Sequence, residues 1–173
     1  MLFSNQQLTL DEVTIIQKWI YQTPNIIFYS RRELLQLEPK YVIKVHQDYQ
    51  LIGCCLLKKI GWNNQWSEIA VLVVDTKFEN QGLASQLFDQ AVEILESNRQ
   101  SIYTVSRNPK VIHLATRCGF QVMSVFKYPT QIAVDNLLYI CSFGRIKESI
   151  RKFFVFGNQP QFQYLIKEST KSK

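Results

Sequence analysis

The sequence predicts an α/β protein of the α+β kind, and three observations favour this class. An apolar, β-branched run at residues 67–75 leads through a short polar loop into an apolar pattern of helical spacing at 82–97. Two further β-rich runs precede this stretch, and strand and helix patterns alternate after it. A chain of 173 residues with 46% hydrophobic content is long enough to bury the core of one domain. We therefore expect a single domain over residues 1–173, with a frayed tail at about 168–173.

Two helices are predicted before the first long strand. Thr9 and Glu12 fit the capping-box pattern, in which the threonine hydroxyl accepts from a backbone N–H and the glutamate reaches back. The helix that they open extends to about Gln22. Ser30 can cap a second helix over residues 31–37, which a proline shortly afterwards ends.

The next strands form a predicted meander. Residues 41–46 and 51–60 are β-rich, and turns at 47–50 and 61–65 separate them from each other and from the strand at 67–75. Short connections of this kind join antiparallel neighbours. We therefore expect three consecutive antiparallel strands.

Helices and strands alternate in the second half of the chain. The helix at residues 82–97 is followed by a strand at 101–107. Asn108, with the proline after it, opens another helix, and Gly119 ends that helix. A further strand is predicted at 121–128.

The last segment contains a predicted basic amphipathic helix at about residues 142–154, followed by a final strand at 162–166. Its apolar face is formed by Phe143, Ile146, Ile150 and Phe153. Its basic face is formed by Arg145, Lys147, Arg151 and Lys152. The leading interpretation is an insertion whose apolar face covers the sheet. The alternatives are a helix that lines a substrate site, binds an acidic partner or lies on a membrane.

Composition narrows the classes of partner and compartment. The 20 Lys and Arg against 14 Asp and Glu give a net charge of +6, which suits an anionic cofactor but also solubility or loose nucleic-acid contact. Neither His46 nor His113 has a partner at the spacing of a metal site or a triad. No basic region followed by a long apolar segment opens the chain, and no run of about 18 apolar residues occurs. The cysteines lack zinc or disulfide spacing; they are residues 54, 55, 118 and 141. We expect a soluble, cytoplasmic protein with free thiols, no metal and no membrane span.

The loop before the helix at 82–97 is suited to an anion. Unpaired N–H groups and the positive end of the helix dipole lie at a helix start. Gly82 also lacks the Cβ that would keep an anion at a distance. A phosphate-bearing ligand is therefore the expected class of guest.

Two motifs carry a resemblance to a known family. The first reads Glu79-Asn80-Gln81-Gly82-Leu83-Ala84. The second reads Asn108-Pro109-Lys110-Val111-Ile112-His113-Leu114-Ala115-Thr116-Arg117-Cys118-Gly119-Phe120. In both motifs, and in the order of its elements, the chain resembles the GNAT superfamily of N-acetyltransferases. The pyrophosphate loop of that family is Arg/Gln-x-x-Gly-x-Gly/Ala, and its later helix is Asn-x-x-Ala-x-x-Leu-Tyr-x-x-x-Gly-Phe.

The matches and departures fall at particular positions. Gly82 and Ala84 match the pyrophosphate loop, and Glu79 replaces its basic or amide residue. Ala115 stands where many relatives carry the tyrosine that protonates the leaving thiolate. The residues in register with the second motif are Asn108, Leu114, Gly119 and Phe120.

The resemblance implies an acyl-CoA N-acyltransferase fold, with a mixed, mostly antiparallel central sheet of about six or seven strands, flanking helices and a helical insertion before the last strand. It implies acetyl-CoA as co-substrate and no metal. In the family, the diphosphate is held chiefly by main-chain N–H groups, and the pantetheine arm pairs with the end of the strand before the loop. Carried over to this chain, the cofactor-binding residues are Leu72, Val73, Val74, Glu79, Asn80, Gln81, Gly82, Leu83, Ala84, Ser85 and Asn108. The alternative for Asn108 is a plain helix cap.

The implied general base is Glu68, which lies eleven residues before Glu79, the offset at which histone-acetylating relatives place theirs. The alternative is a solvated carboxylate at the start of its strand. With Ala115 in the later helix, either another donor, such as Tyr103 or a water, protonates the thiolate, or the thiolate leaves unassisted.

These residues together imply an acetyl-CoA-dependent N-acetyltransferase that acts on a primary amine by direct attack in a ternary complex. The expected acceptor is a small-molecule or peptide amine. The cofactor motifs do not identify it further, because loops and inserted helices determine the acceptor in this family. The alternative function is a degenerate, non-catalytic acetyltransferase-like domain that binds CoA or a protein partner. No nucleic-acid partner is expected, since the chain lacks interleaved basic and aromatic motifs. Whether the protein forms a homodimer is left open.

Overall fold

The computed structural model describes residues 1–26, 29–60, 65–123, 132, 134, 143–157 and 160–169. The strands are β1 (Leu2–Ser4), β2 (Val42–Gln47), β3 (Gln50–Ile60), β4 (Trp66–Val74), β5 (Ser101–Ser106), β6 (Gln121–Met123) and β7 (Gln163–Lys167). The helices in this described part are α1 (Leu10–Gln22), α2 (Arg31–Leu35), α3 (Leu83–Ser97), α4 (Pro109–Arg117) and α5 (Phe143–Phe156). Short 3₁₀ turns at Pro39–Tyr41 and Thr76–Phe78 follow α2 and β4.

The strands form one seven-stranded sheet, flanked by helices, in the order β1-β2-β3-β4-β5-β7-β6. β1 with β2, β2 with β3, β5 with β7 and β6 with β7 pair antiparallel, whereas β4 with β5 pairs parallel. The predicted fold class, a mixed and mostly antiparallel sheet with helices, is therefore confirmed.

The chain divides into two compact units. The first comprises Met1–Lys58 and Ile69–Ile94, and the second comprises Lys59–Glu68 and Leu95–Lys173. The division falls within β3, β4 and α3. That residues 1–173 act as a single domain stays a prediction.

The first two helices begin as predicted. The Thr9 N–H donates to Glu12 Oε2 at 2.8 Å, and the Glu12 N–H donates back to Thr9 Oγ1 at 3.3 Å. Ser30 and Glu33 form the same reciprocal pair at 2.8 and 3.2 Å. Both are capping boxes, which satisfy N–H groups that a helix start leaves unpaired.

The second helix is shorter than predicted, ending at Leu35 and not at residue 37. Pro39 disfavours helical dihedrals in the residue before it, and Glu38 has an extended ψ of 143°. The restriction that Pro39 places on Glu38 therefore ends the helix before the proline itself.

Strand β1 was not predicted, and β6 is shorter than expected. β1 has three residues and is defined by its pairing, for example Leu2 with His46, not by any local pattern. β6 covers Gln121–Met123, and the rest of the strand predicted at 121–128 lies outside the described residues. The other predicted bounds lie within two residues of those observed.

A buried ion cluster lies in the first unit. Lys44 Nζ donates to both Glu12 carboxylate oxygens at 2.8 Å and to the Gln7 carbonyl at 3.0 Å, while His46 Nε2 lies 2.9 Å from Glu12 Oε1. Burial alone would raise the pKa of Glu12. The hydrogen bonds from Lys44, from the Thr9 N–H and from His46 outweigh burial, so the pKa of Glu12 lies below its usual value.

A close approach of backbone and side chains in the first unit requires glycine at Gly53 in β3. A Cβ there would stand 3.2 Å from the Val73 carbonyl oxygen and 3.3 Å from side-chain carbons of Leu87 and Val45. β3 therefore packs more closely against β4 and α3 than a side chain would allow.

The second unit has its own apolar cluster. Its buried members are Ile60, Trp66, Tyr103, Ile132 and Ile166, and the partly buried side chains packed against it are Val105, Met123 and Tyr164. The cluster joins β4, β5 and β7 through their side chains.

Helix α5 has the opposite orientation to the leading interpretation. Ile146, Ile150 and Phe153, which were expected to cover the sheet, are exposed, whereas Arg145 and Lys152 are buried. Helical periodicity defines two faces but not which of them is buried, and here the inner one is the side with Lys152 and, 3.9 Å from it, Glu148. The apolar face therefore does not cover the sheet.

Candidate active site

The backbone of β4 points alternately towards its two sides. The Asp75 N–H donates to a carbonyl oxygen of β3 at 2.8 Å, and the Val73 carbonyl oxygen lies beside Gly53 of the same strand. Because the backbone groups of alternate residues in a strand share one side, those of Leu72 and Val74 point to the opposite side.

The ladder that joins β4 to β5 has three pairs. They are Trp66 with Ser101, Ser67 with Ile102, and Glu68 with Tyr103. Since β4 continues to Val74, the predicted pantetheine segment, residues 72–74, lies beyond the last pair.

Glu68 and Tyr103 meet at this last pair. The Tyr103 hydroxyl donates to Glu68 Oε1 at 3.4 Å, which is a long hydrogen bond. Tyr103 is fully buried in the apolar cluster of the second unit, whereas Glu68 is half-buried. A carboxylate that a buried hydroxyl orients, and that solvent still reaches, is able to exchange a proton with a bound group.

The loop between β4 and α3 contains two residues of left-handed conformation, Asn80 at φ 62° and Gly82 at φ 77°. A Cβ added at Gly82 would meet Gln86 Nε2 at 3.8 Å, which is an ordinary contact. Conformation, and not crowding, is therefore what favours glycine at this position within the protein.

The start of α3 presents backbone donors. The first intrahelical bond is donated by the Gln86 N–H to the Gly82 carbonyl at 3.1 Å. The N–H groups of Leu83, Ala84 and Ser85 precede this bond, so the helix itself supplies them with no acceptor. With the helix dipole, they make a site for an anion.

The loop before this helix lies at the surface. Glu79, Asn80, Gln81 and Gly82 are exposed. Because the Glu79 carboxylate is in contact with water, solvent and salt screen its repulsion of a bound phosphate. The departure at Glu79 is therefore compatible with an anion site at the α3 start.

Asn108 and Ala115 have clear structural roles in α4. Asn108 Oδ1 accepts from the Lys110 N–H at 3.0 Å, which confirms the helix-cap interpretation, and its own N–H donates to Ser106 Oγ at 3.1 Å. Ala115 is fully buried and bears no group that can donate a proton. Gly119, at φ 84°, ends the helix as predicted.

The cysteines do not resemble nucleophiles. Cys54 and Cys55 are buried, and burial raises the pKa of both thiols. Over the described ranges, no group of three or more His, Cys, Asp or Glu side chains could hold a metal. Among the helices described, none has both the length and the apolar character needed to cross a bilayer.

The structure brings together some of the predicted site residues. Within the second unit, Glu68 is joined to Tyr103, which the sequence suggested only as a donor to the thiolate. The register of β4 against β5 creates this contact, and no local sequence pattern predicts it. Within the first unit, β4 leads through the loop into α3 as predicted.

A family model and several solved structures of known proteins match this chain. The model of the acetyltransferase (GNAT) family matches residues 10–120. No curated protein matches the chain by sequence.

Solved structures show the same fold at low identity. N-acetylglutamate synthase from Neisseria gonorrhoeae, complexed with coenzyme A and N-acetyl-glutamate, has a TM-score of 0.67 at 15% identity; the match covers 98% of this chain and 35% of that enzyme. Rv2747 from Mycobacterium tuberculosis, in complex with CoA, has a TM-score of 0.67 at 13% identity, with 96% and 98% covered. The ribosomal-protein-S18-alanine N-acetyltransferase from Escherichia coli has a TM-score of 0.64 at 12% identity, with 99% and 97% covered. The chain thus spans about a third of the Neisseria enzyme and nearly all of the other two.

The family match extends over more than half of the 173 residues and contains the loop at 79–84 and the whole β4–β5 region. The chain therefore belongs to the GNAT family of acetyltransferases.

Proposed function

We propose that the protein transfers the acetyl group of acetyl-CoA to a primary amine of a small molecule or peptide, by direct attack in a ternary complex. The observation that supports this best is the half-buried Glu68 carboxylate, which accepts from the buried Tyr103 hydroxyl at 3.4 Å. Membership of the GNAT family, and relatives that bind CoA, support the choice of co-substrate.

The residues of the first unit fit this co-substrate. The N–H groups of Leu83, Ala84 and Ser85 bind its diphosphate at the start of α3. The backbone groups of Leu72 and Val74 pair with its pantetheine arm as an added strand, and an N–H among them polarises the thioester carbonyl.

Two further proposed cofactor residues have a smaller part. Val73 directs its backbone towards β3, so we assign it packing and no pairing. Asn108 caps α4 through Oδ1, and its Nδ2 amide is a separate donor for the pantetheine arm.

Proton transfer determines the chemistry of the acceptor. An amine with a pKa of about 10.4 is an ammonium at neutral pH and has no lone pair to attack with. Glu68 takes this proton. Acetyl-CoA supplies the thioester carbon, to which the nitrogen forms a C–N bond as the C–S bond breaks and its electron pair leaves on sulfur. Since thiols have a pKa of about 8.5, the thiolate leaves readily, and the second proton that the nitrogen loses passes through water to the sulfur.

Tyr103 is a positioning residue in this scheme. Its hydroxyl is directed to Glu68 and so holds the carboxylate in one orientation. Ala115 stands where relatives carry the tyrosine that protonates the thiolate, and we assign that role to water. Tyr103 supports the base and does not act on the thiolate.

Glu68→Gln tests the proposal, because an amide cannot take the ammonium proton. We expect kcat to fall by about 10²- to 10⁴-fold near neutral pH. The deficit should shrink at high pH, where the free amine is abundant, while acetyl-CoA affinity is unchanged. Release of CoA thiol over a range of pH measures this.

The matched control is Glu93→Gln, which neutralises an exposed carboxylate on α3 and should leave kcat and the pH profile unchanged. A Glu68→Gln profile parallel to that of the unchanged protein at every pH would remove Glu68 from the mechanism.

The buried Ala115 favours a second candidate function, a domain that binds CoA or a protein partner without catalysis. Such a domain would bind acetyl-CoA by calorimetry and yet release no CoA with any amine. Sustained CoA production that depends on the amine excludes it.

A further inference from the structure

Helix α5 exposes a contiguous apolar arc. Ile146, Ile150, Phe153 and Phe154 are 44%, 54%, 63% and 79% exposed, and the two phenylalanine rings pack edge to face, 5.8 Å apart. Their spacing of four, seven and eight residues lies on one side of a helix. Scattered single apolar residues are normal at a surface, but a contiguous set marks an interaction site.

The inner side of α5 explains why this arc faces outwards. Arg145 and Lys152 are buried, and Glu148 pairs with Arg151 at 2.6 Å and lies 3.9 Å from Lys152. Both ion pairs lie within α5, so they keep the basic side chains together and partly offset their charge on the buried side. Burial lowers the pKa of Lys152 to about 8, in keeping with its enclosed position. The apolar arc therefore faces outwards.

The end of the helix indicates what kind of medium covers the arc. Phe153, Phe154 and Val155 are consecutive, and all are at least 60% exposed. Successive residues are separated by about 100° around a helix, so these three side chains point over roughly 200° of its circumference. A rigid groove on a protein partner covers one stripe of a helix. The boundary of headgroups and acyl chains in a bilayer has no fixed shape, so it accommodates a wide apolar side of a helix that lies in its plane.

Charge specifies the lipid. Lys147 is exposed at the border of the arc, and Arg151, with a side chain that is 23% exposed, lies beside it. Arg145 and Lys152 are buried and Arg151 pairs with Glu148, so Lys147 provides the exposed charge at this border, in a chain of net charge +6. Such a border is complementary to anionic headgroups.

We propose that α5 docks the protein onto an anionic lipid surface, with Ile146, Ile150, Phe153 and Phe154 at the boundary of headgroups and acyl chains and Lys147 at the level of the phosphates. The helix lies in the plane of the interface, and its charged side stays packed on the second unit. This peripheral mode goes beyond the acetyl transfer and does not depend on it.

Vesicle co-sedimentation with the full chain tests the proposal. The protein should sediment with phosphatidylcholine vesicles that contain phosphatidylserine and not with phosphatidylcholine alone. The double variant Phe153→Ser, Phe154→Ser should lose at least about tenfold in partition, because both rings leave the interface. Lys147→Glu should lose about tenfold through the reversed charge. Ile150→Ser alone provides the apolar test if the double variant does not fold, as judged by circular dichroism.

The controls change similar residues elsewhere. Tyr49→Ser removes a fully exposed aromatic from the β2–β3 turn, and Lys18→Glu reverses an exposed charge on α1; both should bind vesicles as the unchanged protein does. Equal partition of all variants, or no binding to anionic vesicles, would overturn the proposal. So would a dimer in sedimentation velocity, or a complex with an acidic peptide, that needs Phe153 and Phe154 while vesicles are not bound.

Discussion

At the scale of single residues, the residue whose part in the proposed chemistry is clearest is Tyr103. It is a fully buried β5 residue, and parallel register with β4 brings it to Glu68. The role of Glu68 as a base stays a prediction, although its offset from the pyrophosphate loop could be read from the sequence. The contact with Tyr103 could not, because strand register depends on residues distant in the chain.

Tyr103→Phe should move the acid limb of the pH–rate profile to higher pH, by about one unit. The lost hydroxyl bonds the charged form of the Glu68 carboxylate, so the variant retains its proton to a higher pH. The profile of CoA release measures this shift. Tyr164→Phe, in the same apolar cluster, is the control, and an acid limb that moves equally in both variants would contradict a positioning role.

The same scale contains a test of stability. Glu12→Gln leaves Lys44 buried without its carboxylate and should lower the free energy of unfolding at pH 7 by about 3 kcal/mol in urea. Glu38→Gln, at an exposed ion pair, should change it little.

The pH dependence of this pair has a definite sign. Since the pKa of Glu12 is lower in the folded state than its ordinary 4.5, the unfolded state takes the proton first. The stabilisation is therefore complete above about pH 4.5 and is lost as pH falls through the folded pKa. In urea titrations, the free energies of unfolding of the unchanged protein and of Glu12→Gln should become more similar as the pH falls. A difference that grows in acid would contradict this origin of the stabilisation.

At the scale of whole elements, neighbouring residues determine where a helix begins, whereas distant residues determine which of its faces is buried. The caps at Thr9, Ser30 and Asn108 could be predicted because each lies within three residues of the group that it satisfies. The orientation of α5 could not, because periodicity reveals two faces and not which one is buried. Strand β1 exists only through its pairing with β2.

The loop before α3 provides a prediction at this scale. Gly82→Ala should destabilise the protein by about 1 kcal/mol or more, and weaken acetyl-CoA binding, because alanine disfavours φ 77°. Gly82→Asn should be milder, since asparagine tolerates the left-handed region. Thermal unfolding and calorimetric titration with acetyl-CoA measure both effects. Equal losses in the two variants would show that the missing Cβ, and not the backbone conformation, is what the ligand requires.

At the scale of the whole molecule, the seven-stranded sheet and the family could be predicted because two motifs fall at the right separation in their strand-loop-helix contexts. The acceptor could not, because the loops and insertions that select it in this family carry no cofactor motif. The residues proposed for acetyl transfer lie between Glu68 and Asn108, whereas those proposed for lipid binding lie in α5.

The most direct test incubates the unchanged protein with acetyl-CoA and a panel of primary amines, polyamines and peptides, and measures free CoA thiol together with acetylated product by mass spectrometry. If Glu68 deprotonates a bound amine for direct attack, at least one amine should yield CoA and acetylated amine in equal amounts, at a rate that depends on both substrates. Release of CoA without acetylated amine, or no release with any amine despite bound acetyl-CoA, would contradict an N-acetyltransferase.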